Sequence, residues 1–490
     1  QAPLLQLSAE ALAARIAGQR ASFGKEDLFG EYARGLPSRP APAADPSLGT
    51  LDALPGSAGS GDGSANPPAA PAIDGNALGI FVPMHAPPGA MDHFYEALRA
   101  LKRGDDDDGK VRVLLYGASH TAADIYPTYL RAYLRERFGD GGPGFVALAK
   151  TNKYYRLLAW TLETSKGWLV EHAQKKKARE DGLFGLLGAS TSATKKRDVT
   201  RLLPQVEPPE GPHKTTYELY FLRQPGGGKF TVKIDGKEQK QAVNTKAKGF
   251  EPGYATFTVD GGPHEVEIRP VGKGEVRLFG MSVEYDTPGV VVDTLGINGT
   301  RASNHLKWNE SVWADNFKRR RPDLVVLAYG TNESLDEDVP IGHYKAELGQ
   351  VIDRMKAAAP EVSCLLVGPG DFPLKAQDGA YLARARTIEI VAAQAEVAAA
   401  KGCAFWDALA FMGGAGSMVL WAEAQPAMGR PDLIHLTRRG YVRMGMAITD
   451  ALMDAFDAVD VPTEAPETLI ASERPGAGPI EAVAAPLAAP

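Results

Sequence analysis

Residues 110–139 read KVRVLLYGASHTAADIYPTYLRAYLRERFG, and this stretch decides the fold. Its first part, KVRVLLYG, is rich in Val and Leu, which predicts a short buried strand. A tight turn that carries glycine follows, and the remaining residues have the spacing of an amphipathic helix. A strand, a tight turn and a helix in this order form an α/β unit, which favours a parallel sheet covered by helices.

The same alternation returns from Val290 onward. The segments VVVDTLGING, DLVVLAYGTNES, VSCLLVGPGDFP and CAFWDAL each contain a strand-like apolar run. Helices are predicted over 343–358, 380–401 and 439–456. Near-continuous apolar strands that alternate with helices indicate a parallel sheet with both faces covered.

Between these two parts, residues 151–287 have a different hydrophobic pattern. Their apolar residues alternate with period two, separated by Gly, Pro and Asp turns, which predicts an antiparallel sandwich or jelly roll. The predicted strands are YELYFL (217–222), KFTVKIDG (229–236), YATFTV (254–259), HEVEIRPV (264–271) and VRLFGMSVEY (276–285). The simplest architecture is therefore one α/β domain interrupted by a β-sandwich.

The ends of the chain differ in composition from this structured part. Stretches rich in Pro, Ala, Gly and Ser cannot bury enough apolar surface to offset the entropy lost on ordering. We expect a helical segment over 1–36, a disordered linker over 37–75, the first part of the α/β domain over 76–150, the sandwich over 151–287, the second part of the α/β domain over 288–460 and a disordered tail over 461–490.

Composition excludes some classes of function. The 490 residues include 54 Lys and Arg against 60 Asp and Glu, a formal net charge of −6, so we expect no nucleic-acid partner. Charged residues interrupt every apolar run before the roughly 18 residues that a membrane span needs, so no transmembrane segment is expected. Because the sequence begins at Gln1, we expect that a leader was removed or the terminus was trimmed. Cys364 and Cys403 lie in strand-like runs, and we expect buried free thiols.

Two groups of residues could supply a nucleophile and its base. Ser119 follows the first predicted strand directly, where it could attack a substrate or simply cap the next helix. Asp432 and His435 lie three residues apart before the last predicted helix. They could be the carboxylate and base that activate a serine, or a helix cap and a surface histidine.

Two further residues could stabilise an oxyanion. Asn332 in YGTNES and Gly299 in LGINGTRAS each follow a predicted strand. The Asn332 amide could donate a hydrogen bond to a developing negative charge, or form a local Asx-turn. The Gly299 backbone could approach a substrate closely, or belong to a plain turn. All the candidates therefore follow predicted strands, in the order Ser, Gly, Asn and Asp-x-x-His.

In this order the sequence resembles the GDSL/SGNH hydrolase family over residues 110–145 and 288–456. The resemblance implies a three-layer α/β/α fold around a parallel sheet, here interrupted by an all-β, jelly-roll-like sandwich. The four motifs of the family correspond to Gly117-Ala118-Ser119, Gly299, Gly330-Thr331-Asn332, and Asp432 to His435.

The resemblance also implies a mechanism. Ser119 would be the nucleophile, His435 its base and Asp432 the carboxylate that orients the base. The backbone N–H groups of Ser119 and Gly299 and the Asn332 amide would bind the oxyanion. No metal or organic cofactor is required.

More narrowly, GASHTAAD, GTNE and AFWDALAFMGGAGSM are similar to the peptidoglycan O-acetylesterase branch. That likeness implies that the insert is carbohydrate-binding-like, that the substrate is a glycan, probably O-acetylated peptidoglycan, and that the protein is periplasmic or secreted. Ala118 replaces the usual Asp of the first motif. Alternatives are an O-acyl hydrolase or acetyltransferase acting on another polysaccharide, and a glycan-binding protein whose site has decayed.

Residues next to these motifs are expected to support the site rather than take part in the reaction. We expect His120 and Asp124 to support the site, and Glu333 to brace its loop. Four aromatic residues near the start of the insert could stack on sugar rings, but aromatic residues in apolar runs usually belong to the core. They are Tyr154, Tyr155, Trp160 and Trp168.

Overall fold

The computed structural model describes residues 73–175, 178–239 and 241–460. The predictions for 1–36, for nearly all of 37–75 and for 461–490 lie outside the described residues.

The helices and strands are numbered in chain order. The helices are α1 (Asp92–Arg103), α2 (Ser119–Ala122), α3 (Ile125–Phe138), α4 (Glu310–Arg320), α5 (Ile341–Ala358), α6 (Ala385–Ala400), α7 (Ala408–Met412), α8 (Ser417–Glu423) and α9 (Arg438–Asp460), with 3₁₀ turns at Gly75–Ala77, Ala302–Lys307 and Glu333–Leu335. The strands are β1 (Lys110–Gly117), β2 (Gly144–Val146), β3 (Trp160–Thr164), β4 (Leu169–His172), β5 (Ala189–Ala193), β6 (Thr200–Pro204), β7 (Lys214–Arg223), β8 (Lys229–Ile234), β9 (Lys237–Glu238), β10 (Val243–Asn244), β11 (Glu251–Asp260), β12 (Val266–Gly272), β13 (Val276–Tyr285), β14 (Gly289–Gly296), β15 (Leu324–Ala328), β16 (Ser363–Val367), β17 (Leu374–Lys375), β18 (Tyr381–Leu382) and β19 (Ala404–Trp406). Among the described helices, none has the length and apolar character needed to cross a bilayer.

A five-stranded parallel sheet forms the centre of the α/β part. Its strand order is β14-β1-β15-β16-β19, and every neighbouring pair is parallel. The residues of β1, β14 and β16 are buried along their whole length, as expected for a sheet covered on both faces. The predicted α/β class is confirmed.

Two antiparallel sheets occupy the chain between β1 and β14. One has the order β10-β8-β12-β6-β3 with β9 beside β8, and the other has the order β11-β7-β13-β5-β4 with β2 beside β13. The five predicted strands of this region are present as β7, β8, β11, β12 and β13. Sequence alternation missed the short strands β2 to β6, because most are buried throughout or too brief to show period two.

The antiparallel sheets pack directly onto the α/β part. Tyr116 of β1 lies in one buried apolar cluster with Phe145, Tyr220 and Phe279. Ionic contacts cross the same boundary, since Arg112 of β1 donates to both carboxylate oxygens of Glu284 in β13, at 2.8 and 2.9 Å. The insert is therefore anchored to the sheet that carries the candidate site.

The prediction of free thiols is wrong. Cys364 in β16 and Cys403, the residue before β19, form a disulfide. The register of these neighbouring parallel strands pairs Leu365 with Ala404, which places the two cysteines side by side. The sequence shows two cysteines in apolar runs but does not show that their strands are adjacent.

Candidate active site

Ser119 lies at the carboxyl edge of the parallel sheet. It is the first residue of α2 and follows the end of β1 by two positions. The strand order reverses at β1, because the chain adds β14 on one side of it and β15 on the other. Ligands of doubly wound folds bind at this kind of reversal, outside the carboxyl ends of the strands.

Ser119, His435 and Asp432 form a continuous hydrogen-bonded chain. Oδ2 of Asp432 lies 3.0 Å from Nδ1 of His435, and Nε2 of His435 lies 2.9 Å from Oγ of Ser119. A carboxylate can only accept, so Nδ1 carries the proton and Nε2 is free to accept the serine proton. The geometry is that of a serine nucleophile, its base and an orienting carboxylate.

The turn before α9 places Asp432 and His435 on the same side. Leu433 has a φ of 54°, a left-handed conformation that is uncommon for a leucine. The backbone amides of Ile434 and His435 donate to Oδ1 of Asp432 at 3.0 and 2.9 Å. Partial burial opposes ionisation of this carboxyl, but these amides and the His435 ring hold the pKa of Asp432 below its usual value.

Gly299 and Asn332 lie on two loops that are joined to each other. The Asn332 side-chain amide donates to the carbonyl of Thr300 at 2.9 Å. The backbone amide of Ile297 donates to the carbonyl of Gly117 at 3.0 Å, which attaches the Gly299 loop to the end of β1. Gly299 has a φ of 80°, a conformation that favours glycine. The three residues expected to bind an oxyanion thus belong to one connected structure at the sheet edge.

Glu333 braces these two loops. Its Oε1 accepts from the backbone amide of Ala302 at 2.8 Å, and its Oε2 accepts from that of Gly330 at 3.0 Å. Only 4% of the residue is exposed, and this burial raises the pKa of Glu333 despite the amide donors. The bracing role expected for this residue agrees with its contacts.

His120 and Asp124 also support the site. Burial lowers the pKa of His120 to about 3, and its Nδ1 lies 3.0 Å from the Tyr441 hydroxyl. Asp124 is buried and accepts from the backbone amide of Leu158 at 2.9 Å and from the Thr294 hydroxyl at 2.8 Å. Asp124 therefore fastens the start of the insert beside the nucleophile.

A cleft of about 670 Å³ opens over Ser119, Asp432 and His435. Tyr154 lines it with 63% of its surface exposed, so the expectation that this ring belongs to the core is wrong. The other three aromatic residues of that group, Tyr155, Trp160 and Trp168, are buried as expected. Sequence reasoning missed the arginines of the cleft, Arg156, Arg430 and Arg438. The adjacency of Arg430 to the Asp432–His435 turn was the signal available for one of them.

Among the described residues, no group of three or more His, Cys, Asp or Glu side chains is arranged to hold a metal ion.

Comparison with known proteins identifies this arrangement. Residues 273–443 match the model of the GDSL-like lipase/acylhydrolase family, a range that holds Gly299, Asn332, Asp432 and His435. The matched part of this chain therefore resembles that family. Ser119 lies outside the matched range, and the fold brings its Oγ to 2.9 Å from Nε2 of His435, which lies inside it.

One solved structure shares the fold of this chain. A peptidoglycan O-acetylesterase superposes with a TM-score of 0.62 at 21% identity, over 76% of this chain and 99% of the other. A family two carbohydrate esterase from Cellvibrio japonicus matches with a TM-score of 0.26 at 11% identity, over 61% of this chain and 100% of the other. No protein with a curated function matches the sequence significantly.

Proposed function

We propose that this protein is a GDSL-type esterase that removes O-acetyl groups from peptidoglycan. The observation that carries the proposal is the Ser119–His435–Asp432 hydrogen-bonded chain at the floor of a cleft bordered by the β-rich insert. A cleft with walls from two structural parts suits an extended polymer better than a small free ester. The shared fold with a peptidoglycan O-acetylesterase supports the choice of glycan.

The reaction follows from the geometry. His435 takes the Ser119 proton as Oγ attacks the acetyl carbonyl, and Asp432 stabilises the imidazolium that forms. The oxyanion receives hydrogen bonds from the N–H groups of Ser119 and Gly299 and from the second N–H of the Asn332 amide. His435 then returns its proton to the departing sugar hydroxyl.

Water completes the cycle. His435 removes a proton from a water molecule as that water attacks the acetyl carbonyl on Ser119, and it then gives the proton to Oγ of Ser119 as acetate leaves. The same acyl-enzyme could pass its acetyl group to a sugar hydroxyl, which is the acetyltransferase alternative.

We further propose that the protein works in the periplasm or outside the cell. The Cys364–Cys403 disulfide supports this location, because disulfides persist mainly in oxidising compartments.

The test is acetate release from O-acetylated peptidoglycan and from a chromogenic acetate ester. We expect activity on both substrates and a loss of at least about 10³ in kcat for Ser119→Ala and for His435→Ala, with folding retained. Activity on the chromogenic ester alone would move the substrate to another acylated glycan. Acetyl transfer to an added sugar acceptor would favour the acetyltransferase. No detectable activity on either substrate would favour a glycan-binding protein with a decayed site.

A further inference from the structure

The cleft over Ser119 has a charge opposite to that of the whole chain. Three arginines line it, Arg156, Arg430 and Arg438, against a single acidic residue, Asp432. The chain as a whole has a net charge of −6. The positive charge at this mouth is therefore local, and it surrounds the atoms that react.

Two of these arginines come from different parts of the chain. Arg156 belongs to the segment that leads into the insert, and Arg430 belongs to the turn that carries Asp432. Both are exposed, and among the described residues neither side chain has a carboxylate within the 4 Å of an ion pair. Most exposed arginines elsewhere in the described chain do have one, such as Arg321 with Asp108 at 3.0 Å.

The acidic residue of the cleft forms no ion pair with either of these two arginines. Both carboxylate oxygens of Asp432 are engaged, one by the His435 ring and one by two backbone amides. The wall that carries Arg156 is held in place, because Leu158 is hydrogen-bonded to buried Asp124. The two guanidinium groups are thus presented to the cleft by anchored backbone.

We propose that Arg156 and Arg430 are specificity-determining residues that bind a carboxylate of the substrate beside the ester that Ser119 attacks. A guanidinium matches a carboxylate with two parallel hydrogen bonds, and a bound glycan would exclude water from that contact. The inference rests on the proposed function only in taking an acylated sugar as the ligand. The carboxylate could belong to an ether substituent of the sugar or to a peptide attached to it.

Binding to the Ser119→Ala variant tests this without turnover. The ligands are 6-O-acetyl-N-acetylmuramic acid, whose lactyl ether carries a free carboxylate, and the same sugar with that group as a methylamide. A third ligand has the lactyl group amide-linked to a dipeptide with free carboxylates. By calorimetry we expect a carboxylate ligand to bind about tenfold more tightly than the methylamide, as for a charge-assisted hydrogen bond. A preference for the first or the third ligand identifies the source of the carboxylate.

In the same background, Arg156→Gln and Arg430→Gln should each lower the preference at least about threefold, and the double variant should remove it. The matched control is Arg197→Gln, which removes one charge from an exposed arginine of the insert outside the cleft and should keep the preference. Equal affinities for all three ligands, no measurable binding of any, or a preference that survives in the double variant would overturn the inference.

The proposed function is tested by a separate measurement. Turnover of the chromogenic acetate and of O-acetylated peptidoglycan by the wild-type protein decides that question, whereas the affinity ratio in Ser119→Ala decides this one. A protein that lacks esterase activity but keeps the charge preference would retain the carboxylate site and lose the enzymatic assignment.

Discussion

Replacing Glu333 with Gln should weaken both folding and catalysis without weakening substrate binding. Glu333 is buried and accepts one backbone N–H on each oxygen, from Ala302 and from Gly330. A Gln side chain keeps one acceptor, but its NH₂ group must then face the other N–H. The link between the Gly299 loop and the Asn332 turn is lost on one side.

The magnitude follows from these contacts. The variant loses one charge-assisted hydrogen bond, about 1.5–3 kcal/mol, and leaves a buried N–H unsatisfied, about 1–3 kcal/mol. Part of this is offset, because Gln removes the burial penalty that raises the pKa of Glu333. We expect a net loss of about 2 kcal/mol in the free energy of unfolding. Deleting an oxyanion donor outright costs about 10²–10³ in kcat, so loosening Gly299 and Asn332 should cost about 10–10².

The assay combines urea denaturation with steady-state kinetics on a chromogenic acetate ester. The matched control is Glu337→Gln, the same chemical change in a mostly exposed residue paired with Arg384, which should alter stability by less than about 1 kcal/mol. A bracing role predicts a lower kcat, a KM within about threefold of wild type and an unchanged pH profile. A raised KM with normal kcat, or a shifted pH profile, would refute the reasoning and place Glu333 in contact with the substrate or the proton transfers.

Three other changes have defined outcomes. Asp432→Asn should fold but lower kcat on the same ester by about 10³ or more. An amide NH₂ facing Nδ1 of His435 favours the tautomer whose protonated Nε2 cannot accept the Ser119 proton. Near-normal turnover would contradict this. Cys403→Ser should reduce the free energy of unfolding by about 2–4 kcal/mol, because the disulfide joins residues 39 positions apart and restricts the unfolded chain. In the same denaturation measurement, a reductant should destabilise the wild type but not the variant. Burial raises the pKa of Asp450 to about 7, so its contribution to stability is lost as pH rises from about 4 to 7. Asp450→Asn should therefore melt higher than wild type at pH 8 and equally at pH 4, and an equal melting temperature at both would argue against the raised pKa.

Local patterns in the sequence were enough to predict the class of the fold. The apolar runs of β1, β14, β15 and β16 reflect burial on both faces, which leaves its mark on consecutive residues. Strand β8 of the insert shows period two, because one of its faces is buried and the other is more exposed to solvent. Short strands such as β2 carry too few residues for either signal.

The candidate site was predictable for a related reason. Residues that follow the strands of a parallel sheet meet at one edge, so Ser119, Gly299 and Asn332 could be expected to converge. The expectation that the Asp432–His435 turn also follows a strand is wrong, because α7 and α8 lie between β19 and this turn. Tertiary packing brings it to the same edge. The sequence suggested a bracing role for Glu333, but it did not show which two backbone amides its carboxylate accepts hydrogen bonds from.

Only the tertiary structure decided which distant groups touch. Ser119 and His435 lie 316 positions apart, and their 2.9 Å contact depends on the packing of several elements between them. The same holds for the Cys364–Cys403 disulfide and for the presence of Arg156 and Arg430 in one cleft. Burial and periodicity are visible in the sequence of each segment, because they depend on which residues of that segment are apolar. The distance between two segments depends on how whole strands and helices pack, and the sequence of a single segment does not contain that information.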